Sequence, residues 1–153
     1  MKRIALASAL AACALLPLSA NAAGSAADSF NVNIALTTAC TLTTPGALAM
    51  TYTAFGAAAT GFTSFDVKCS QGLGFGLGLD AATVTDGATG LPYTLALKAA
   101  NLGDASVAAG TLTGQAGTAA GTTYYVQGYI AAGQAGTTTP GAANNTRTVT
   151  VSY

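Results

Sequence analysis

Residues 29–40, SFNVNIALTTAC, constrain the fold more than any other stretch, because Phe30, Val32, Ile34 and Leu36 recur at every second position with polar or small residues between them. Successive side chains of a β-strand point to opposite faces, so this spacing predicts one strand with one apolar face. An apolar strand of this length near a chain end needs a backbone partner, and left bare it is an aggregation hazard.

Ahead of it, residues 1–22 open with Lys2 and Arg3, continue through an apolar run over 4–18 and end in the small-x-small triplet Ala20-Asn21-Ala22. That order predicts a secretory signal peptide, with the mature chain starting near Ala23. The run is too short and too quickly followed by the cleavage triplet for a membrane span. Leu10-Ala11-Ala12-Cys13 also has the pattern of a lipoprotein cleavage box. A cut there would leave an apolar ALLPL segment behind the lipid and waste the later site, so Cys13 is read as part of the signal.

The 131 residues left after the signal (153 − 22) suit one domain with a real core. Their charges are Lys68, Lys98 and Arg147 against Asp28, Asp66, Asp80, Asp86 and Asp104, a balance of 3 − 5 = −2. Such a chain offers no basic patch for nucleic acid or an anionic membrane. It has no His and no Glu, which removes the usual acid-base pairs and the Ser-His nucleophile systems. Neither an enzyme nor a small-molecule substrate or cofactor is expected. Low charge predicts poor solubility for a free monomer and suits a protein packed against neighbours.

Cys40 and Cys69 are an even pair in a chain expected to be exported, which favours a disulfide over two buried thiols. Closing a loop of about 30 residues stabilises by roughly 3 to 4 kcal/mol in the chain-entropy account. Two Cys without His cannot complete a tetrahedral zinc site, so no metal is expected.

Further strand-period runs follow. Leu48, Met50 and Tyr52 alternate, and Phe65, Val67 and Cys69 share a face. Over 72–80 Gly alternates with Leu73, Phe75, Leu77 and Leu79, where glycine marks the close approach of another backbone. This is not a phosphate loop, since neither G-x-G-x-x-G nor a G-K-[ST] ending is present. Asp86-Gly87 and Gly90 mark a turn before Tyr93, Leu95 and Leu97, and short strands and turns are expected over 101–121. Residues 122–131 place Tyr124, Val126, Gly128 and Ile130 on one face and Tyr125, Gln127 and Tyr129 on the other. After a loop over 133–145, Val149, Val151 and Tyr153 alternate to the last residue. Seven or eight strands with no helical period predict an all-β antiparallel sandwich. Tyr124, Tyr125 and Tyr129 also suggest an aromatic surface for carbohydrate, against the plainer reading of strand packing.

In order and spacing, several motifs resemble the spore coat protein U domain family, whose members include subunits of archaic chaperone-usher pili. They are F-x-V-x-I-x-x-T-T-A-C-T over 30–41, F-D-V-K-C over 65–69, L-x-Y-x-L over 91–95, V-x-G-x-I-x-A-G-Q over 126–134 and the closing T-V-T-V-S-Y. The chain departs from the family at Ala131, where Pro is usual, at Ala96-Leu97, and over 144–147, where an aromatic and an acidic residue are common.

The resemblance implies an incomplete immunoglobulin-like antiparallel β-sandwich over 38–153, preceded by a donor extension over 23–37 and completed by a strand from another subunit. It makes Phe30, Val32, Ile34 and Leu36 the donor residues and Cys40 and Cys69 the disulfide pair. Val149, Val151 and Tyr153 would line the acceptor groove and meet the chaperone. The implied partners are identical or related pilin subunits, a periplasmic chaperone and an outer-membrane usher, and the implied location is a surface filament for adhesion or biofilm formation. A secreted or coat-layer domain of the same family that does not polymerise is the alternative. Four large apolar side chains buried at roughly 1.5 to 3 kcal/mol each give about 6 to 12 kcal/mol before ordering costs. A strand of that length spans roughly 23 Å.

Overall fold

The computed structural model describes residues 28–100, 108–137 and 145–153. The expected signal peptide over 1–22, Cys13, the first part of the short strands and turns expected over 101–121, and part of the loop expected over 133–145 lie outside the described residues. By its internal contacts the chain divides into two units, Met1–Ala35 and Leu36–Tyr153.

In the first unit, residues 28–35 carry neither helix nor strand. Phe30, Val32 and Ile34, with Leu36 at the start of the second unit, are between 66% and 88% exposed. The strand expected over 29–40 therefore begins only at its last residue. An alternating pattern supplies the faces of a strand, whereas the ladder hydrogen bonds must come from a second backbone.

The second unit contains eight strands among the described residues: β1 (Cys40–Leu42), β2 (Ala59–Cys69), β3 (Gly74–Leu79), β4 (Thr83–Thr85), β5 (Pro92–Lys98), β6 (Thr111–Ala116), β7 (Thr122–Ile130) and β8 (Val149–Ser152). They form a five-stranded sheet in the order β1-β2-β7-β5-β4 and a three-stranded sheet in the order β6-β3-β8. Every pair of named strands is antiparallel. A lone parallel bridge joins Ala96 to Ala109. The chain is all-β over the described residues, with its sheets in a curled, sandwich-like arrangement.

The core follows from the alternation. Phe65 and Val67 of β2, Tyr93, Leu95 and Leu97 of β5, and Tyr124, Val126 and Ile130 of β7 are buried from the larger sheet, while Phe75 and Leu77 of β3 meet them from the smaller. Tyr124 joins the two layers, lying against Phe65 with ring centroids 6.1 Å apart and edge-on to Phe75 at 6.0 Å. Its hydroxyl donates to Gln115 Oε1 at 3.2 Å. Burial raises the pKa of this phenol. The suggested aromatic surface therefore loses Tyr124 to the core. On the outer face of the larger sheet Tyr125 meets Phe62 instead, edge to face at 6.4 Å.

Two further expectations are corrected. The β3 glycines are not close-approach sites: a Cβ at Gly74 or Gly78 would meet nothing within 4 Å, and one at Gly76 would sit 3.5 Å from the Leu112 carbonyl. Close approach occurs at Gly61 of β2 and its register partner Gly128 of β7. The second correction depends on that pair. Leu48, Met50 and Tyr52 alternate as read, but 43–50 carry no strand. After Thr43 donates its N–H to the Asp66 carbonyl at 3.0 Å, the chain leaves the edge of β2 and passes over Gly61 and Gly128. Leu48 and Met50 fill the space those glycines leave open, so this segment packs against the sheet instead of extending it.

Cys40 and Cys69 are register partners at the β1–β2 edge and form a disulfide, S–S 2.05 Å. Ala39 is fastened beside them: its N–H donates to Ser70 Oγ at 3.1 Å, and Ser70 N–H donates to its carbonyl at 3.0 Å.

Candidate functional site

β8 pairs with β3 along one side and closes the order of its sheet, so among the described residues it has no neighbour on the other. The backbone groups along that side face no ladder partner, which is the arrangement that accepts an added strand. Beside this edge runs a cleft of about 1020 Å³. Thr146, Arg147 and Val149 form one wall, and Pro45, Leu48, Met50 and Tyr52 of the crossing segment form the other. Tyr93, Leu95, Val126 and Ile130 of the larger sheet make an apolar floor. The cleft thus lies between β8 and the crossing segment 44–52.

Its two ends differ. β2 begins at Ala59 opposite Ile130 and ends at Cys69 opposite Cys40, and its eleven residues span roughly 33 Å. At the Ile130 end, Tyr52 closes the cleft: Gln134 N–H donates to its hydroxyl at 2.7 Å, and the hydroxyl donates to the Gln134 carbonyl at 3.3 Å. A polar cluster lies along the β8 wall there. Arg147 pairs with Asp80 at 3.5 Å, and its guanidinium pKa is raised chiefly by a hydrogen bond with Tyr93. A backbone hydrogen bond from Thr148 holds the Asp80 carboxyl below its usual range, helped by Arg147. Asp86 is lowered as well, first by the Thr89 hydroxyl at 2.6 Å and then by the Asn145 amide. This cluster fastens the lead-in of β8 to the turn over 86–90.

Of the three residues assigned to an acceptor groove, Val149 lines the cleft. Val151 is half-buried against the core beside Leu77, and Tyr153 is exposed at the chain end. The four donor candidates lie exposed in sequence order, and the cysteine pair stands at the opposite end of β2 from the residue that pairs with Ile130. Reading the sequence missed Arg147, Leu91 and Ile130 as lining residues, and the Tyr52–Gln134 closure. The A-G-Q motif at 132–134 was visible as a motif, but its partner 82 residues away was not. A smaller hollow of about 470 Å³ lies by Phe62 and Gln127 on the larger sheet, with no charged residue in its lining.

No protein-family model matches the chain, and no curated protein matches its sequence. The resemblance therefore rests on the motifs themselves, and the functional argument rests on the cleft and the exposed segment.

Proposed function

We propose that this chain is a structural subunit of an archaic chaperone-usher pilus, exported through the periplasm and polymerised by donor-strand exchange into a surface filament for adhesion or biofilm formation. One observation carries the reading: β8 borders a cleft with an apolar floor, and the same chain exposes four large apolar side chains at strand period. Each is the complement of the other. In this reading the sandwich is an incomplete immunoglobulin-like fold. A periplasmic chaperone first lends a strand to the cleft, and at the outer-membrane usher residues 29–36 of the next subunit replace it.

The chemistry is β-strand addition. Main-chain hydrogen bonds to β8 provide length, and alternate side chains entering the cleft over Tyr93, Leu95, Val126 and Ile130 provide register. No covalent step is involved, which agrees with a chain lacking His and Glu.

The test compares wild type with Ile34→Asp by electron microscopy and by gel migration with and without boiling. A carboxylate is excluded from an apolar cleft by its desolvation cost. The expected result is fibres or boiling-sensitive ladders for wild type, and a monomeric or chaperone-bound variant that retains the Cys40–Cys69 bond. A wild-type chain that stays a stable monomer refutes strand donation and favours the non-polymerising secreted or coat-layer domain.

A further inference from the structure

We propose that Phe55 is the contact through which one subunit body docks on the disulfide end of the next copy in the filament, an inference that rests on the strand donation proposed above.

Phe55 is the one non-glycine residue among those described with a left-handed backbone, φ 59°. For a bulky side chain that conformation is a true outlier. The turn that imposes it is well tied down: Gly56 N–H donates to the Thr53 carbonyl at 2.9 Å, Phe55 N–H to the Gln134 carbonyl at 2.8 Å, and Gly133 N–H to the Gly56 carbonyl at 3.0 Å. Inside the body this strain gains no packing, because Phe55 is 76% exposed. A strained, rigid, outward-facing aromatic is the kind of outlier from which a binding role is argued.

Its position identifies the occupant. All pairs of named strands here are antiparallel, and antiparallel pairing is the more stable kind. β8 runs from Val149, opposite Leu79, to Ser152, opposite Gly76. A donor antiparallel to it therefore runs toward the Tyr52–Gln134 end of the cleft and brings Leu36 there last. In the donating copy, Ala39 is already fixed to Ser70 beside the disulfide. Three residue steps separate Leu36 from Ala39, a reach of at most roughly 11 Å. The donating copy's disulfide end is thereby held against the end of the acceptor where Phe55 projects. Insertion in the opposite sense would bring two disulfide ends together and leave Phe55 in water.

The chain has no Trp, so Phe55→Trp places a single fluorophore at the contact. In full-length protein exported from a Gram-negative host, assembly is expected to shift its emission to shorter wavelength and to lower acrylamide quenching several-fold. Phe62→Trp, on the outer face of the larger sheet, should show no change. Phe55→Asn keeps a residue that accepts the left-handed backbone while removing the ring. In an Ile34→Asp background, which holds the chain monomeric, it should melt no lower than its parent. In polymers it should speed dissociation in denaturant about tenfold. Polymers whose fluorophore at position 55 is quenched as freely as in the monomer overturn the docking contact and leave strand donation standing. So does a Phe55→Asn protein that weakens the monomer but not the polymer. A folded wild-type chain that never polymerises removes strand donation itself, and this contact with it.

Discussion

The Gly61–Gly128 pair makes the wall of the cleft possible, and adding one methyl group to each should give unequal penalties. A Cβ at Gly61 would lie 2.2 Å from the Ala49 carbonyl oxygen and 2.9 Å from Met50 Cγ. Ordinary contact begins near 3.4 Å, so the Ala49 backbone would have to retreat by 3.4 − 2.2, about 1.2 Å. Backbone cannot rotate away as a side chain does, and forced overpacking of this kind costs about 1 to 3 kcal/mol. A Cβ at Gly128 meets Met50 Sδ at 2.8 Å and Leu48 Cδ2 at 3.0 Å, the free ends of flexible side chains. That strain is offset by the roughly 0.5 to 1 kcal/mol gained when glycine leaves a strand interior. The assay is urea unfolding of Gly61→Ala and Gly128→Ala in an Ile34→Asp background. With a slope of roughly 1 to 3 kcal/mol per molar urea, Gly61→Ala should lower the midpoint by about 1 M and Gly128→Ala by much less. Equal midpoints, or a larger loss at Gly128, would refute the account of how 44–52 is seated. On the proposed reading, Gly61→Ala in the chain that keeps Ile34 also moves a cleft wall and should reduce polymer yield, while Gly128→Ala should not.

Two more outcomes follow from the same body. Replacing both Cys40 and Cys69 by Ser should cost about 3 to 4 kcal/mol in unfolding experiments, and a loss below about 1 kcal/mol would mean that the unfolded chain gains little freedom without the bond. The carboxyls of Asp80 and Asp86 are held below the ordinary aspartate range in the folded chain, so their contribution is full above that range and disappears as pH falls through their lowered values. The urea midpoint should hold from pH 7 to 5 and fall below about pH 4. Asp86→Asn should flatten part of that fall, and a decline centred near pH 6 would rule this origin out.

The alternating runs were legible because period two is set by strand geometry itself. Phe65, Val67, Tyr93, Leu95, Leu97, Tyr124, Val126 and Ile130 all turn the face their spacing predicts toward the core. The disulfide was favoured by cysteine count and expected export, and it links register partners. Spacing says nothing of what lies across a face, and there the reading failed in both directions. The β3 glycines carry the expected pattern and face open space, while Gly61 and Gly128, 67 residues apart, meet a segment that no local pattern places over them. Leu48, Met50 and Tyr52 have strand spacing without a strand because they pack across the sheet and not beside it. The Tyr52–Gln134 closure and the Asp80–Arg147 pair also join distant positions, visible only once the chain is folded.

The four sheet edges explain why assembly, on the proposed reading, is directed to one place. A bare strand edge recruits any other strand, and proteins blunt their edges by shortness, bulges or charge. The larger sheet ends in β1 and β4, each only three residues long. At one end of the smaller sheet, β6 carries a register shift against β3 between Phe75 and Leu77, and Gly114 has a left-handed backbone within it. Such a bulge twists an edge away from further pairing. β8 is itself only four residues long, but it carries no bulge, its register with β3 is continuous, and unlike β1 and β4 it borders a cleft with an apolar floor. One recruiting edge per body, supplied by one apolar segment from the next, gives a contact whose two sides are different surfaces. Repeated contacts of that type do not pair off into a closed dimer but continue from copy to copy, and an operation that fails to close on itself produces a fibre.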